Sequence, residues 1–269
     1  MIGAIFGDIV GSVYEFNPTL DYNFPLLTKE SAFTDDTICT IAIADAYMHH
    51  RPYKTELQSW CAVYPNPMGG YGARFNQWLH TPFALAYHSW GNGSAMRVSS
   101  LGWLCSSLEE VLQEATYSAA CTHNHPDGIR GAQAVAAAVF LARTGMGKDE
   151  LFAYVRDKFD YPTSYYDENG DVDYDLDDYR GYFDESCEGT VSAAFLCIRD
   201  SHDFESAIRL AVSLGADADT LGAIVGAIAE PLYGMPLEFQ KEVFKRLPAD
   251  MLDVYSQFKK SIEYGKKKT

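Results

Sequence analysis

Two short acidic runs carry the most specific chemistry in this sequence. Thr34-Asp35-Asp36-Thr37 opens one apolar stretch, and far downstream Gly215-Ala216-Asp217-Ala218-Asp219-Thr220 opens another. Asp and Thr suit helix N-termini, where their oxygens accept otherwise unpaired backbone N–H groups. A single cap accounts for one acid, whereas Asp35 and Asp36 are adjacent and repel each other unless a cation or a proton intervenes. Asp217 and Asp219 are two residues apart and cannot share a helical face, so they belong to a loop-to-helix junction. Taken together, the motifs offer four carboxylates and flanking hydroxyls with no His or Cys among them. An all-oxygen set suits hard cations, Mg²⁺ or Mn²⁺ first and Ca²⁺ next, rather than Zn²⁺. Four acids also suffice to bridge two ions, an arrangement that polarises substrate oxygens and a water.

Positioning these acids falls to helices. Thr37–His49, Leu108–Ala120, Gly131–Arg143, Val191–Arg199, Phe204–Leu214 and Thr220–Ala229 are Ala- and Leu-rich runs with few turn residues, which favours helix over strand. Several are apolar nearly all round and so are expected inside a multi-layer bundle. Gly3, Gly7 and Gly11, like Gly222 and Gly226, recur every four residues and place small residues on one helical face. No Gly-Lys-Ser/Thr follows the first set, so packing explains it better than a phosphate loop. Loops are expected at residues 18–30, 64–94, 123–128 and 160–186.

At 269 residues, the chain is expected to form one all-α domain. A net charge of −16 excludes a general nucleic-acid or anionic-membrane surface, because phosphates would be repelled. No apolar run is long enough to span a bilayer, and Met1–Phe16 has no basic start but carries Asp8 and Glu15, unlike a signal peptide. Six cysteines without a CxxC pair read as reduced and mostly buried, giving a cytoplasmic setting as the expectation. Eleven acids and six tyrosines crowd the region from Asp157 to Glu185, which reads as a solvated lid or surface insertion over residues 160–186. Residues 265–269 read as a basic, frayed tail. A monomer is the expected state.

Beyond these two motifs, the chain resembles the ADP-ribosylglycohydrolase family, which includes the dinitrogenase-reductase-activating glycohydrolase and the ADP-ribosylarginine hydrolases. The resemblance runs through Gly7-Asp8, Gly11 and Glu15-Phe16, then Thr34 to Thr37. It continues through Gly91-Asn92-Gly93-Ser94 with Met96-Arg97, then Thr122-His123-Asn124-His125-Pro126, and ends at Gly215 to Thr220. It implies a compact orthogonal multi-helix bundle with a metal pair in a central cleft. By the same resemblance, Thr34, Asp35, Asp36, Asp217, Asp219 and Thr220 are the metal ligands, and Glu15 is an outer ligand or a proton-transfer group. Gly91, Asn92, Gly93 and Ser94 approach substrate phosphates through backbone N–H groups, with Arg97 and His123 also at the substrate. Catalysis would rest on Glu15, Asp35, Asp36 and Asp219. Where the family motif has Gly and Thr or Ser, this chain has Ala216 and Ala218, which leaves the three downstream ligands in place.

The activity this implies is hydrolysis of the bond joining ADP-ribose to a modified protein or small-molecule adduct, arginine-linked first among the linkages. Two other readings compete. A metal phosphohydrolase acting on nucleotides would also use paired Asp motifs, and a non-catalytic relative would bind ADP-ribose without turning it over.

Overall fold

The structure, a computed structural model, describes residues 1–163 and 175–266, and the described residues form thirteen α-helices and no strand. In chain order these are α1 (Ile2–Gly11), α2 (Asp35–Met48), α3 (Tyr53–Val63), α4 (Ala73–Leu79), α5 (Ser99–Leu104), α6 (Leu108–Ala120) and α7 (Pro126–Arg143). There follow α8 (Lys148–Phe159), α9 (Cys187–Asp200), α10 (Phe204–Ser213), α11 (Ala218–Tyr233), α12 (Leu237–Arg246) and α13 (Ala249–Lys266). Two isolated bridges, Thr34 with Met68 and Gly91 with Ser186, hold loops near the centre.

The glycine spacing shows its purpose in the pairing of α1 with α11. All ten residues of α1 are buried, as are the twelve from Ala218 to Ala229 of α11. A Cβ on Gly7 would lie 1.9 Å from the carbonyl oxygen of Gly222, and one on Gly226 would lie 2.1 Å from that of Gly3. The two backbones touch, and no side chain larger than hydrogen fits between them. Around this pair sit α2, α9, α10 and the alanine-rich α7; α6 and α8 close the outer side and α12 and α13 pack along α1 and α2. Helix starts are fixed locally: Thr34 accepts from Asp36 N, Ser107 from Glu110 N, Ser186 from Gly189 N, and Asp203 forms a capping box with Ser206.

Several boundaries differ from the sequence reading, among them α9, which starts at Cys187 rather than Val191, and α11, which runs to Tyr233 rather than Ala229. Helix α4 lies inside the stretch expected to be loop from 64 to 94, because a seven-residue helix shows little periodicity. Helix α7 begins at Pro126 rather than Gly131, with His125 as its cap and Pro126 filling the first turn where no N–H is needed. Helix α13 runs on through Lys266, into the expected tail. Much of the expected lid, residues 164–174, lies outside the described residues, as do 267–269. All six cysteines are free, and all but Cys121 are fully buried. Among the described residues no helix is long and apolar enough to cross a membrane.

Candidate active site and metal centre

The N-termini of α2 and α11 meet at one cleft of about 440 Å³. Glu15, Asp35, Asp36, Asp217, Asp219 and Thr220 all line it. The two motifs touch directly, since Thr220 Oγ1 donates to Asp36 Oδ2 at 3.2 Å. Glu15, Asp217 and Asp219 each bring a carboxylate oxygen within 4.8 Å of the other two. Asn92 donates from Nδ2 to Asp217 Oδ2 at 2.7 Å and to Thr190 Oγ1 at 3.0 Å, tying the second motif to the glycine turn.

Sequence reasoning missed how the first motif is held. Asp8, the one acid in the buried helix α1, accepts from Thr34 N and from Thr34 Oγ1 at 2.7 Å. It also accepts from Thr37 N at 3.1 Å and from the Thr37 hydroxyl. Thr34, expected as a ligand, thus also anchors the helix start, with one lone pair of its hydroxyl left over. Its hydroxyl donates to Asp8 and accepts from Asp36 N, so both its proton and a lone pair are committed to the helix start. The clue in the sequence was a lone acid at Gly7-Asp8 within an otherwise apolar run.

These carboxylates strain against each other without a counter-charge. Burial, then repulsion from Asp219, pushes Asp8 up to about 7 and Glu15 up to about 8. The same two causes raise Asp35 and Asp36 well above the usual carboxylate range, and burial with Asp219 does so for Asp217. Two buried oxygens, Glu15 Oε2 and Asp36 Oδ1, have no hydrogen-bond partner. Unpaired buried carboxylate oxygens with no basic side chain among the acids fit divalent cations held by oxygen, the chemistry the motifs implied.

A stability consequence follows from the raised values. Between about pH 4 and pH 8 the folded protein holds protons that the unfolded chain releases, so stability without metal falls as pH rises across that window. The melting temperature in chelator is expected to drop from pH 5 to pH 8, and added Mn²⁺ or Mg²⁺ to raise it most at pH 8. Scanning fluorimetry at four pH values checks this; a flat profile in chelator contradicts it.

The other end of the cleft is basic. His123 is buried, and burial, then Arg97 and Arg74, lowers it well below the usual histidine value, so it is neutral near pH 7. Arg97 donates to Ser118 O at 2.8 Å and to Thr122 Oγ1 at 2.9 Å, and Thr122 Oγ1 lies 2.7 Å from His123 Nδ1. Thr122 Oγ1 thus joins the Arg97 guanidinium to Nδ1 of the ring, leaving Nε2 as its other polar atom. That atom faces the glycine turn, 3.2 Å from where a Gly93 Cβ would stand. Arg97, expected at the substrate, lines the cleft and also spends part of its guanidinium on this link.

The turn itself is partly committed. Gly91 N donates to Ser89 Oγ at 3.2 Å and Asn92 N to Glu185 O at 2.7 Å, so neither amide is free for a ligand. Ser94 is fully buried, with its hydroxyl on Gly128 O, and lies beneath the turn rather than at the cleft surface. Gly91, Asn92 and Gly93 do line the cleft. Arg74, Tyr87, Phe183 and Glu185 line it as well, from loops and a short helix that motif spacing did not mark.

Comparison with known proteins agrees with this geometry. A sequence model of the ADP-ribosylglycohydrolase family matches residues 1–260. The ADP-ribosylarginine hydrolase Tri1 of Pseudomonas putida (strain GB-1) is 25% identical, over 99% of this chain and 81% of its own. The ADP-ribosylhydrolase ARH3 of Homo sapiens is 27% identical, over 87% and 84% respectively. A solved ADP-ribosylglycohydrolase-related protein complex aligns over 98% of this chain and 94% of that one, with a TM-score of 0.64 at 22% identity, and shares the fold. From its first helix to its last, this chain belongs to the ADP-ribosylglycohydrolase family of enzymes.

Proposed function

We propose that the protein hydrolyses the glycosidic bond between ADP-ribose and an arginine side chain, using two divalent cations, Mg²⁺ or Mn²⁺. The observation that carries this reading is the meeting of both acid motifs in one cleft, joined by the Thr220–Asp36 bond. Support for the arginine linkage comes from the name of the Pseudomonas relative. A modified protein or a small adduct is the substrate, and no oligomeric partner is required by the cleft.

Thr34, Asp35, Asp36, Asp217, Asp219 and Thr220 are the residues that would hold the ions, with Glu15 beside them. When bound, the cations supply Lewis acidity toward ribose oxygens and a water. The rest falls to side chains. Asn92 fixes the rotamer of Asp217 through its 2.7 Å bond, and Asp8 fixes the α2 start on which Asp35 and Asp36 ride. Positioned in this way, the acids need little rearrangement as positive charge develops at the anomeric carbon. The departing guanidine needs a proton, and Glu15, with Oε2 unpartnered at the cleft, is placed to give it. His123 Nε2 and the Gly93 backbone face the region suited to the substrate's diphosphate.

The test is a panel of defined ADP-ribosyl conjugates, arginine-linked, serine-linked and nucleic-acid-linked, with Mg²⁺, Mn²⁺ or chelator, read as free ADP-ribose. Release from the arginine conjugate that chelator abolishes and Mn²⁺ restores is expected. Undiminished release in chelator removes the metal from the reading, and phosphate release without ADP-ribose removes the glycosidic chemistry.

A further inference from the structure

The basic end of the cleft, with Arg74, Arg97 and His123, leaves the acidic end for whatever is attached to the ribose. Two Glu–Phe pairs line the same cleft from different parts of the chain, the second of them beside the glycine turn. One is Glu15 with Phe16, directly after α1; the other is Glu185 with Phe183, just before α9. Phe16 is 72% exposed and Phe183 46%, an unfavourable placement for two phenyl rings unless something covers them. Glu185 is exposed, and among the described residues its carboxylate has neither a hydrogen bond nor an ion pair. It is close enough to Glu15 for the two charges to oppose each other. Its main chain is fixed, because Glu185 O accepts from Asn92 N at 2.7 Å and the next residue, Ser186, caps α9.

We propose that Glu185 and Phe183, facing Glu15 and Phe16, form a subsite that selects a cationic guanidinium leaving group over a neutral one. The proposal rests on the hydrolase reading above and names the residues that set its linkage preference. A guanidinium offers planar N–H donors to carboxylates and a delocalised cationic face to phenyl rings, the two features this opening presents. A serine-linked conjugate releases a neutral alcohol that uses neither. Glu185 is anchored through its backbone to the turn that holds Asn92, so its side chain starts from a point fixed relative to Asp217.

The test reads binding and turnover separately. Agmatine, a free guanidinium probe, is titrated onto the Mg²⁺-loaded protein and onto the Glu185→Gln and Phe183→Leu variants. Glu238→Gln, an exposed acid on α12, controls for net charge. Agmatine affinity is expected to fall about 10- to 100-fold in Glu185→Gln, the range for losing one charged hydrogen bond, and to hold in the control. Turnover of an arginine conjugate should fall in parallel, while that of a serine conjugate of the same peptide stays within about twofold. Unchanged agmatine binding in Glu185→Gln, or equal losses on both conjugates, overturns the proposal. Should neither conjugate release ADP-ribose in the unaltered protein while agmatine binding still depends on Glu185, the hydrolase reading fails and the cation subsite stands.

Discussion

Asp219→Asn is expected to lower ADP-ribose release by about 10³-fold or more while leaving the protein folded. No other acid acts on so many neighbours. After burial, its charge is the next largest cause raising Asp8, Glu15, Asp35, Asp36 and Asp217. Asparagine keeps the shape and an oxygen but removes the charge that a cation needs. Because the same charge strains the metal-free protein, the variant in chelator at pH 8 should melt no lower than the unaltered protein, and should gain little when Mn²⁺ is added. The paired readout separates loss of cation binding from loss of fold. Hydrolysis retained by Asp219→Asn, with chelator present, would remove the metal-based mechanism.

Gly7→Ala tests the other support of the site. The added methyl would sit 1.9 Å from Gly222 O and 2.3 Å from Gly222 C, with backbone rather than a movable side chain in its way. Helices α1 and α11 must part, at a cost of about 3 kcal/mol or more, a value at the upper end of overpacking. For a chain of this size, that corresponds to a melting temperature lower by about 10 °C. Activity should be lost as well, since Asp8 leaves with α1 and Asp219 with α11. Circular dichroism melts and the release assay check both, and a variant with unchanged melting would show that the two backbones have room to spare.

Both acid motifs were readable because their excess of charge over capping need shows in the residue types alone. Glycine spacing likewise pointed to a close helix contact, although its partner emerges only when Gly7 is seen against Gly222. Helix α6 could be read to both ends, as Ser107 and a long Ala-rich run leave little choice. The part played by Asp8 was hidden, because it depends on α1 lying across the start of α2, a tertiary fact. The hydroxyl partners of Thr34 and Ser94 were hidden too, because Asp8 and Gly128 O reach them only through the packing of other helices. Arg97, expected at the substrate, lines the cleft and also binds Thr122, a second contact that only packing decides. Glu185 and Phe183 sit on irregular chain at the end of the acidic stretch, where no periodicity singles out a residue.

The α1–α11 contact also sets a timetable for biosynthesis. The ribosome makes α1 long before the surface that covers it, which is encoded beyond residue 217. At about 5–20 residues per second, this greasy N-terminal segment waits for tens of seconds before its partner emerges. During that interval the nascent chain displays an uncovered apolar helix and cannot hydrolyse anything. A chain that stays inactive until α11 has emerged is built into the order of its helices.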